Sequence, residues 1–220
     1  NPVVGRDVRL RDNRILSNNL ANFAPGGTVA IIPAGTGTFA LASRRVEITG
    51  NTYTNNQTGD IAILSGLVVD TDPAVWDLAE ADLIGDVGLP AGTMPGTVAN
   101  FRTENIVVAN NTHTDGGLSP DVSREFGLLI RAVFGERPVS SVLYDTIGES
   151  MFDPNDASMN SNDNRICAGG NTGGNGVASL DVPRQLVSIG SPILVIDTAP
   201  FAPFDCTSLN GGPVAPVTLP

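Results

Sequence analysis

The feature that most constrains the fold is a pattern of twelve residues that occurs three times. It covers residues 8–19, 46–57 and 106–117, which read VRLRDNRILSNN, VEITGNTYTNNQ and IVVANNTHTDGG. A β-branched residue opens each copy, an aliphatic residue stands two positions later, and an asparagine stands five positions after the start. Alternating apolar positions have the period of a β-strand, and asparagine tolerates the left-handed backbone of a turn. Each copy is therefore predicted to be a strand, a turn and a second strand.

Three copies at matching offsets predict a solenoid, in which the copies stack on one another. Stacking would bring the asparagines at the fifth offset, Asn13, Asn51 and Asn111, into a ladder of paired amides. An apolar strand led by glycine is expected after each copy, at 27–31, 59–63 and 127–130. The predicted class is all-β, a parallel β-helix solenoid.

An insertion separates the second and third copies. The copies begin 38 and then 60 residues apart, and residues 70–101 account for the longer interval. Asp72 as a helix cap, Pro73 at the first helical position and Gly85 after an apolar run predict a short helix over 72–85. Insertions at the corners of a solenoid are common.

The repeat, V-x-I-x-x-N-x-I-x-x-N followed by a glycine-led strand, resembles that of the right-handed parallel β-helix proteins. More specifically, the chain is similar to an uncharacterised bacterial family of parallel β-helix repeat proteins, within the pectate-lyase-like superfamily. The resemblance covers residues 4–134, and the segments NSNDNRICAGGN at 160–171 and APFDC ending at Cys206 are also similar to that family. It implies a right-handed coil and an extracellular, periplasmic or cell-surface location in bacteria. It implies no catalytic residues.

Domain boundaries follow from where the repeat fades. Residues 1–136 are assigned to the β-helix, 137–209 to a loop-rich continuation or cap, and 210–220 to an extended tail. Cys167 and Cys206 are the only cysteines. Either they form a disulfide that closes a loop of about 40 residues, or they are two buried free thiols. A loop-rich region gains more from a disulfide, which favours the first alternative.

Composition excludes several classes of partner. The chain has 220 residues, twelve arginines, no lysine, 23 acidic residues and a net charge of −11. Nucleic acids and anionic membrane surfaces would be repelled by this charge. No run of eighteen apolar residues predicts a membrane span.

Few residues are candidates for catalysis or for metal binding. His113, the only histidine, is a candidate general acid or base, with Arg102 and Asp115 beside it in sequence. The alternative is a buried histidine in an apolar column with Ile15 and Tyr53. Calcium is the one metal considered, because carboxylate and amide oxygens suit it, and the candidate ligands are Asp153, Asn155, Asp156 and Asp163.

Two functions therefore remain open at this point. The first is an extracytoplasmic scaffold or binding protein that presents a repetitive face to a glycan or a protein. The second is a carbohydrate-active enzyme, a polysaccharide lyase or epimerase, which needs a cation, a carboxylate or metal, and a base in one groove. A β-helix that enters its first strand so early exposes an apolar cross-section, so upstream coils or another chain are expected to cover the N-terminal end.

Overall fold

The computed structural model describes residues 5–66, 77–79, 97–99, 103–145, 166–180 and 196–204. This part of the chain is mostly β, as the composition predicts. It contains one α-helix, α1 (Glu125–Phe134), and two short 3₁₀ helices, Thr28–Ile31 and Ala202–Phe204. The strands are β1 (Gly5–Arg11), β2 (Arg14–Leu16), β3 (Thr36–Leu41), β4 (Ser43–Thr49), β5 (Thr52–Thr54), β6 (Gly59–Leu64), β7 (Asp77–Ala79), β8 (Thr97–Ala99), β9 (Glu104–Ala109), β10 (Thr112–Thr114), β11 (Val142–Asp145), β12 (Ile166–Cys167), β13 (Thr172–Gly173), β14 (Val177–Leu180) and β15 (Ile196–Ala199).

Twelve of these strands form three parallel sheets. Sheet A has the order β1-β4-β9-β12, sheet B the order β2-β5-β10-β13, and sheet C the order β3-β6-β11-β14 with β15 added antiparallel at its end. Neighbouring strands within a sheet come from successive stretches of the chain, and the chain visits A, B and C in that order each time. We call one such visit to the three sheets a pass. The four passes span 5–41, 43–64, 104–145 and 166–180.

The main core lies between the three sheets. Register places Val8, Val46, Ile106 and Ile166 in one column, so the apolar residues that open the repeats pack on one another. Further columns from sheets B and C fill the same interior, including Tyr53, Ile63 and Val142, each fully buried. The β-branched residues favour strands and interdigitate on their pleated faces.

An asparagine ladder runs through the turn between sheets A and B. The side-chain oxygen of Asn51 accepts hydrogen bonds from the backbone N–H and the side-chain amide of Asn13, at 2.9 and 3.1 Å. Asn111 accepts the same two bonds from Asn51, at 2.9 and 3.1 Å, and Asn171 accepts them from Asn111, both at 3.0 Å. The amides of the last three asparagines also donate to carbonyls in the pass before: those of Leu10, Ile48 and Val108.

A helix replaces one predicted strand. Residues 127–130 were expected to continue the third pass as a strand, and this is wrong, because they lie in α1. Phe126, Ile130 and Phe134 recur every four residues and are buried against the outward face of sheet C, which is the period of a helix. The strand of sheet C in this pass is β11, further along the chain.

The prediction of a strand at 27–31 is also wrong. This segment is a 3₁₀ helix in which Val29 is 60% exposed. The strand of sheet C in the first pass is β3, where Thr38 and Ala40 face the interior and Phe39 and Leu41 face α1. Because β3 packs against other residues on both of its faces, it forms the strand of sheet C, whereas the exposed segment 28–31 does not.

Local capping signals gave the wrong element inside the insertion. The helix predicted over 72–85 is incorrect at Asp77–Ala79, which is a strand paired antiparallel with Thr97–Ala99. Pairing with a strand from the other end of the insertion is not visible in a local capping pattern. The other residues of 72–85 lie outside the described part.

One further copy of the repeat lies within 137–209, the region predicted to be a loop-rich continuation or cap. Ile166 opens a fourth copy, with Ala168 two positions later and Asn171 five positions later. Beyond it, β15 pairs with β14, and Phe204 accepts a hydrogen bond from the backbone N–H of Ala168 at 2.7 Å. The C-terminal end of the interior is therefore covered by residues 196–204.

The ladder makes a prediction about stability. Replacing Asn111 by alanine removes the side-chain groups that bond the N–H of Asn51 and the carbonyl of Ile48 in a buried site, whereas the Asn171 oxygen keeps its bond from the backbone N–H of residue 111. Each lost partner costs about 1–3 kcal/mol. We expect Asn111→Ala to lower the free energy of unfolding by at least about 2 kcal/mol in urea titrations.

Asn13→Ala is the matched control, because Asn13 is exposed and lies at the end of the ladder. It should cost about 1 kcal/mol or less. Equal losses for the two variants would contradict a cooperative buried ladder.

Candidate functional site

Sheet B carries the residues most relevant to function. Its strands are three residues long or shorter, so each presents one side chain inward and up to two outward. The inward column is Ile15, Tyr53, His113 and Gly173, and the outward columns are rich in threonine. The register of Ile15, Tyr53 and His113 is the one that alignment of the repeats predicts.

His113 forms a buried pair with Asp60. Its Nδ1 lies 2.9 Å from Oδ2 of Asp60, and both side chains are completely buried. The other carboxylate oxygen accepts a hydrogen bond from the amide of Asn56 at 3.0 Å. Gly116 lies so close that a Cβ there would be 2.5 Å from the carboxylate, so only glycine fits beside the pair.

Two aromatic rings enclose the histidine. The Tyr53 ring stacks on it at 5.3 Å between centroids and 9° between planes, and the Phe201 ring stacks on the other side at 5.6 Å and 23°. Gly173 leaves the interior column without a side chain in the fourth pass, and Phe201 packs next to His113 instead. Burial raises the pKa of the Tyr53 phenol above its usual value, and its hydroxyl lies 2.9 Å from that of Thr38.

The residues predicted for catalysis do not meet in one place. His113 is inside, whereas Asp115 is exposed in a left-handed turn just after β10. Arg102 lies outside the described residues. The histidine has its second ring nitrogen, Nε2, buried without a hydrogen-bond partner, so the described residues give it no contact with a surface groove. Its position corresponds to the alternative prediction of a buried histidine in the interior column.

Threonines form a regular grid on the outward face of sheet B. Thr52, Thr112 and Thr172 lie side by side on successive strands, and Thr54 and Thr114 form a second column. Strands in a sheet are about 4.8 Å apart, and residues two apart on a strand are about 6.7 Å apart. The two hydroxyls of Thr112 and Thr172 are 3.4 Å apart. We call these five residues the threonine grid; Arg14 and Leu16 continue its columns in the first pass.

The threonine grid is open to solvent, unlike the corresponding faces of the other sheets. The outward face of sheet C is packed against α1. On sheet A the outward positions include Glu47, 5% exposed, and Cys167, 1% exposed. Glu47 is bound by Arg9 at 3.3 Å and by Arg11. In the part of the chain that is described, sheet B alone offers a continuous accessible face.

No metal centre is present among the described residues: they contain no cluster of three His, Cys, Asp or Glu side chains that could hold an ion. The calcium candidates Asp153, Asn155, Asp156 and Asp163 lie outside that part. Of the helices described, none has the length and apolar character needed to cross a membrane.

Cys167 is buried and disulfide-bonded. The chain has one other cysteine, Cys206, and it lies outside the described residues. The pairing of Cys167 with Cys206 therefore stays a prediction.

Sequence reasoning missed several residues of this region. Asp60 gave no signal, because its partner His113 is 53 residues away. Asn171 could have been found, since it has the spacing of the repeat. The grid was also readable, because Thr-x-Thr occurs at 52–54 and 112–114 at the same offset.

Comparisons with known proteins add no relative: no family model, curated protein or solved structure matches the chain. The resemblance to bacterial parallel β-helix repeat proteins thus stays a prediction from the sequence.

The buried pair can be tested by a double-mutant cycle. His113→Phe retains a ring between Tyr53 and Phe201 but leaves Asp60 buried without its partner. Breaking a buried pair on one side costs about 3–5 kcal/mol. We expect His113→Phe and Asp60→Ala each to lower the free energy of unfolding by about 3 kcal/mol, and the double variant to lose at least 1 kcal/mol less than the sum, about the coupling of contacting residues.

Asp115→Asn is the control for this cycle, because that carboxylate is exposed on the same strand–turn unit and asparagine tolerates its left-handed backbone as well as aspartate does. It should change stability by no more than about 0.5 kcal/mol. Purely additive losses would show that His113 and Asp60 are not coupled.

Proposed function

We propose that the chain is an extracytoplasmic scaffold or binding protein, built on a right-handed parallel β-helix, that presents the threonine grid to a neutral glycan. The observation that carries the binding proposal is the accessible, uncharged and regular grid on sheet B. Scaffold and site are proposed together, because the spacing of the grid depends on how the passes stack.

The order of the strands supports the β-helix. Each sheet receives one strand from every pass, and the passes pair in parallel at matching repeat positions. A ladder of equivalent asparagines, one per pass, is the pattern that repeated stacking would give. We propose a right-handed coil because connections between parallel strands of one sheet are almost always right-handed.

The chemistry of the grid favours a neutral ligand that is rich in hydroxyl groups. Each threonine offers one hydroxyl that donates and accepts, beside one methyl group. Arg14 is the only charged side chain that extends the columns, although the chain has 23 acidic residues. A polymer with repeated hydroxyls could contact several strands at once, and the contacts would add by multivalency.

The enzyme alternative receives less support from the described residues. A lyase or epimerase needs a base next to a cation and a carboxylate or metal. His113 is buried with Asp60, and the described residues hold no cluster of three His, Cys, Asp or Glu side chains that could bind a metal ion.

An extracytoplasmic location is consistent with the state of Cys167. Disulfides persist mainly in oxidising compartments such as the periplasm and the cell exterior. Cys167 is disulfide-bonded and buried on the outward side of sheet A.

Retention on insoluble polysaccharides tests the proposed function. We expect the chain to bind a neutral polymer, cellulose or chitin, more strongly than polygalacturonate. Thr114→Glu places a charge in the middle of the grid and should weaken retention on the neutral polymer about tenfold, which corresponds to about 1.4 kcal/mol.

Leu128→Glu is the matched control, since it adds the same charge to an exposed position on α1. It should leave retention unchanged. Failure to bind either neutral polymer, or equal losses in both variants, would contradict the proposal. Release of unsaturated products from polygalacturonate would favour the lyase instead.

A further inference from the structure

The first pass lies at the end of all three sheets. β1, β2 and β3 are the terminal strands of sheets A, B and C, and they lie on the same side. Among the described residues, no strand pairs with their outer edges. An open row of backbone N–H and C=O groups is a template for another strand. The opposite end is different, because β15 and the segment with Phe201 and Phe204 cover it.

The asparagine ladder is also open at this end. The oxygens of Asn51, Asn111 and Asn171 each accept two hydrogen bonds from the pass before. The equivalent oxygen of Asn13 accepts none from any described residue, and its amide donates to the nearby carbonyl of Arg11 at 2.7 Å. Asn13 thus has the acceptor that the ladder would use for one more step.

Apolar side chains concentrate on the same pass. Among the residues that the structure describes, five of the eight exposed large apolar residues belong to it. Phe23 is 95% exposed and Leu20 is 89% exposed, whereas Val46, which follows Val8 in its column, is 4% exposed. A concentration of exposed apolar side chains on one part of a surface favours an interaction site there. The five are Val8, Leu16, Leu20, Phe23 and Val29.

The charge of this pass differs in sign from that of the whole chain. It holds four arginines and two aspartates, in a chain of net charge −11. Arg9 pairs with Glu47 of the second pass on one side, and its column continues toward the open edge. Arg14 makes no ion pair with any described residue. A partner with carboxylates at these columns would be complementary.

We propose that the open face of the first pass binds one further pass of the same repeat, in parallel register. This pass supplies the N–H and side-chain amide of an asparagine to the Asn13 oxygen, apolar residues over Val8 and Ile15, and a carboxylate over Arg9. The inference rests on the β-helix of the proposed function, not on glycan binding.

Other occupants fit the observations less well. A second copy that approached face to face would oppose arginines with arginines. If a second copy approached with its C-terminal end, the open face would meet residues 196–204, which already cover that end of the second copy. A lipid surface offers neither strand edges nor directional donors for Asn13. A strand satisfies all of these groups at once.

A tandem chain tests the proposal. A copy of residues 5–42, which is one 38-residue period, is inserted before Gly5. The last residue of the copy then precedes Gly5 in the same way as Ala42 precedes Ser43, the residue that pairs with Gly5. In the copy, Arg9→Glu and Arg11→Thr supply the residues that the second pass has at these positions, Glu47 and Thr49. We expect one cooperative unfolding transition, at a higher urea midpoint than the parent, and protection of the copy from protease.

The decisive readout is Asn13→Ala at the original position. It should shift the midpoint several times further in the tandem chain than in the parent, because Asn13 becomes an internal member of the ladder. A copy that is digested like unfolded chain, or equal shifts in both backgrounds, would overturn the proposal. So would an unchanged midpoint when the copy keeps Arg9 and Arg11.

Two measurements on the parent address the other occupants independently of the tandem chain. A stable dimer by light scattering that Phe23→Ser dissociates and Leu128→Ser does not would assign the face to a second copy. Sedimentation with phosphatidylserine vesicles that depends on Phe23 would assign it to lipid. We expect neither result, and either one would overturn the proposal. Loss of glycan binding with a stable tandem chain would contradict only the proposed function.

Discussion

Register between successive passes depends on the buried asparagine amides at the turn between sheets A and B. A strand can slip along its neighbour, and a slip by one residue would move the apolar set to the wrong face. Asn51 and Asn111 remove that freedom, since each amide bonds both to the next asparagine and to a carbonyl of the pass before. With the turn fixed, Val46, Ile106 and Ile166 must lie in one column.

The same register sets the geometry of the outward face. Because Tyr53 and His113 are aligned inside, Thr52 and Thr54 lie beside Thr112 and Thr114 outside. The stacked rings of Tyr53, His113 and Phe201 hold the inner side of the sheet, and the Asp60 carboxylate holds the imidazole. A rigid support of this kind reduces the entropy lost when the face binds a ligand. The buried histidine thus has a structural part in the proposed site, and a catalytic part is not needed to explain it.

How much of this could be predicted varied with the range of the interactions. The β class, the column of Ile15, Tyr53 and His113, and the amides of Asn13, Asn51 and Asn111 follow from spacing alone, because equivalent positions stack. The secondary structure of the segment after each turn was harder to predict from the sequence. Glycine followed by apolar residues leads to strand β6 at 59–64, to a 3₁₀ helix at 28–31 and to α1 at 125–134. Which of the three forms is decided by packing against sheet C, from residues far away in sequence. The Asp60 partner of His113 and the antiparallel pair of β7 and β8 are also long-range choices that no local pattern encodes.

Hydrogen exchange of the side-chain amides tests the central claim most directly. The amides of Asn51 and Asn111 are buried members of a ladder, whereas the amide of Asn55 is exposed on the surface and, among the described residues, bonds only to Ser17. By NMR, the Nδ2 protons of Asn51 and Asn111 should exchange at rates close to those of the core backbone amides, and at least about a hundredfold more slowly than those of Asn55. Exchange of all three at similar rates would contradict the account, because the passes would then lack the interaction that fixes their register.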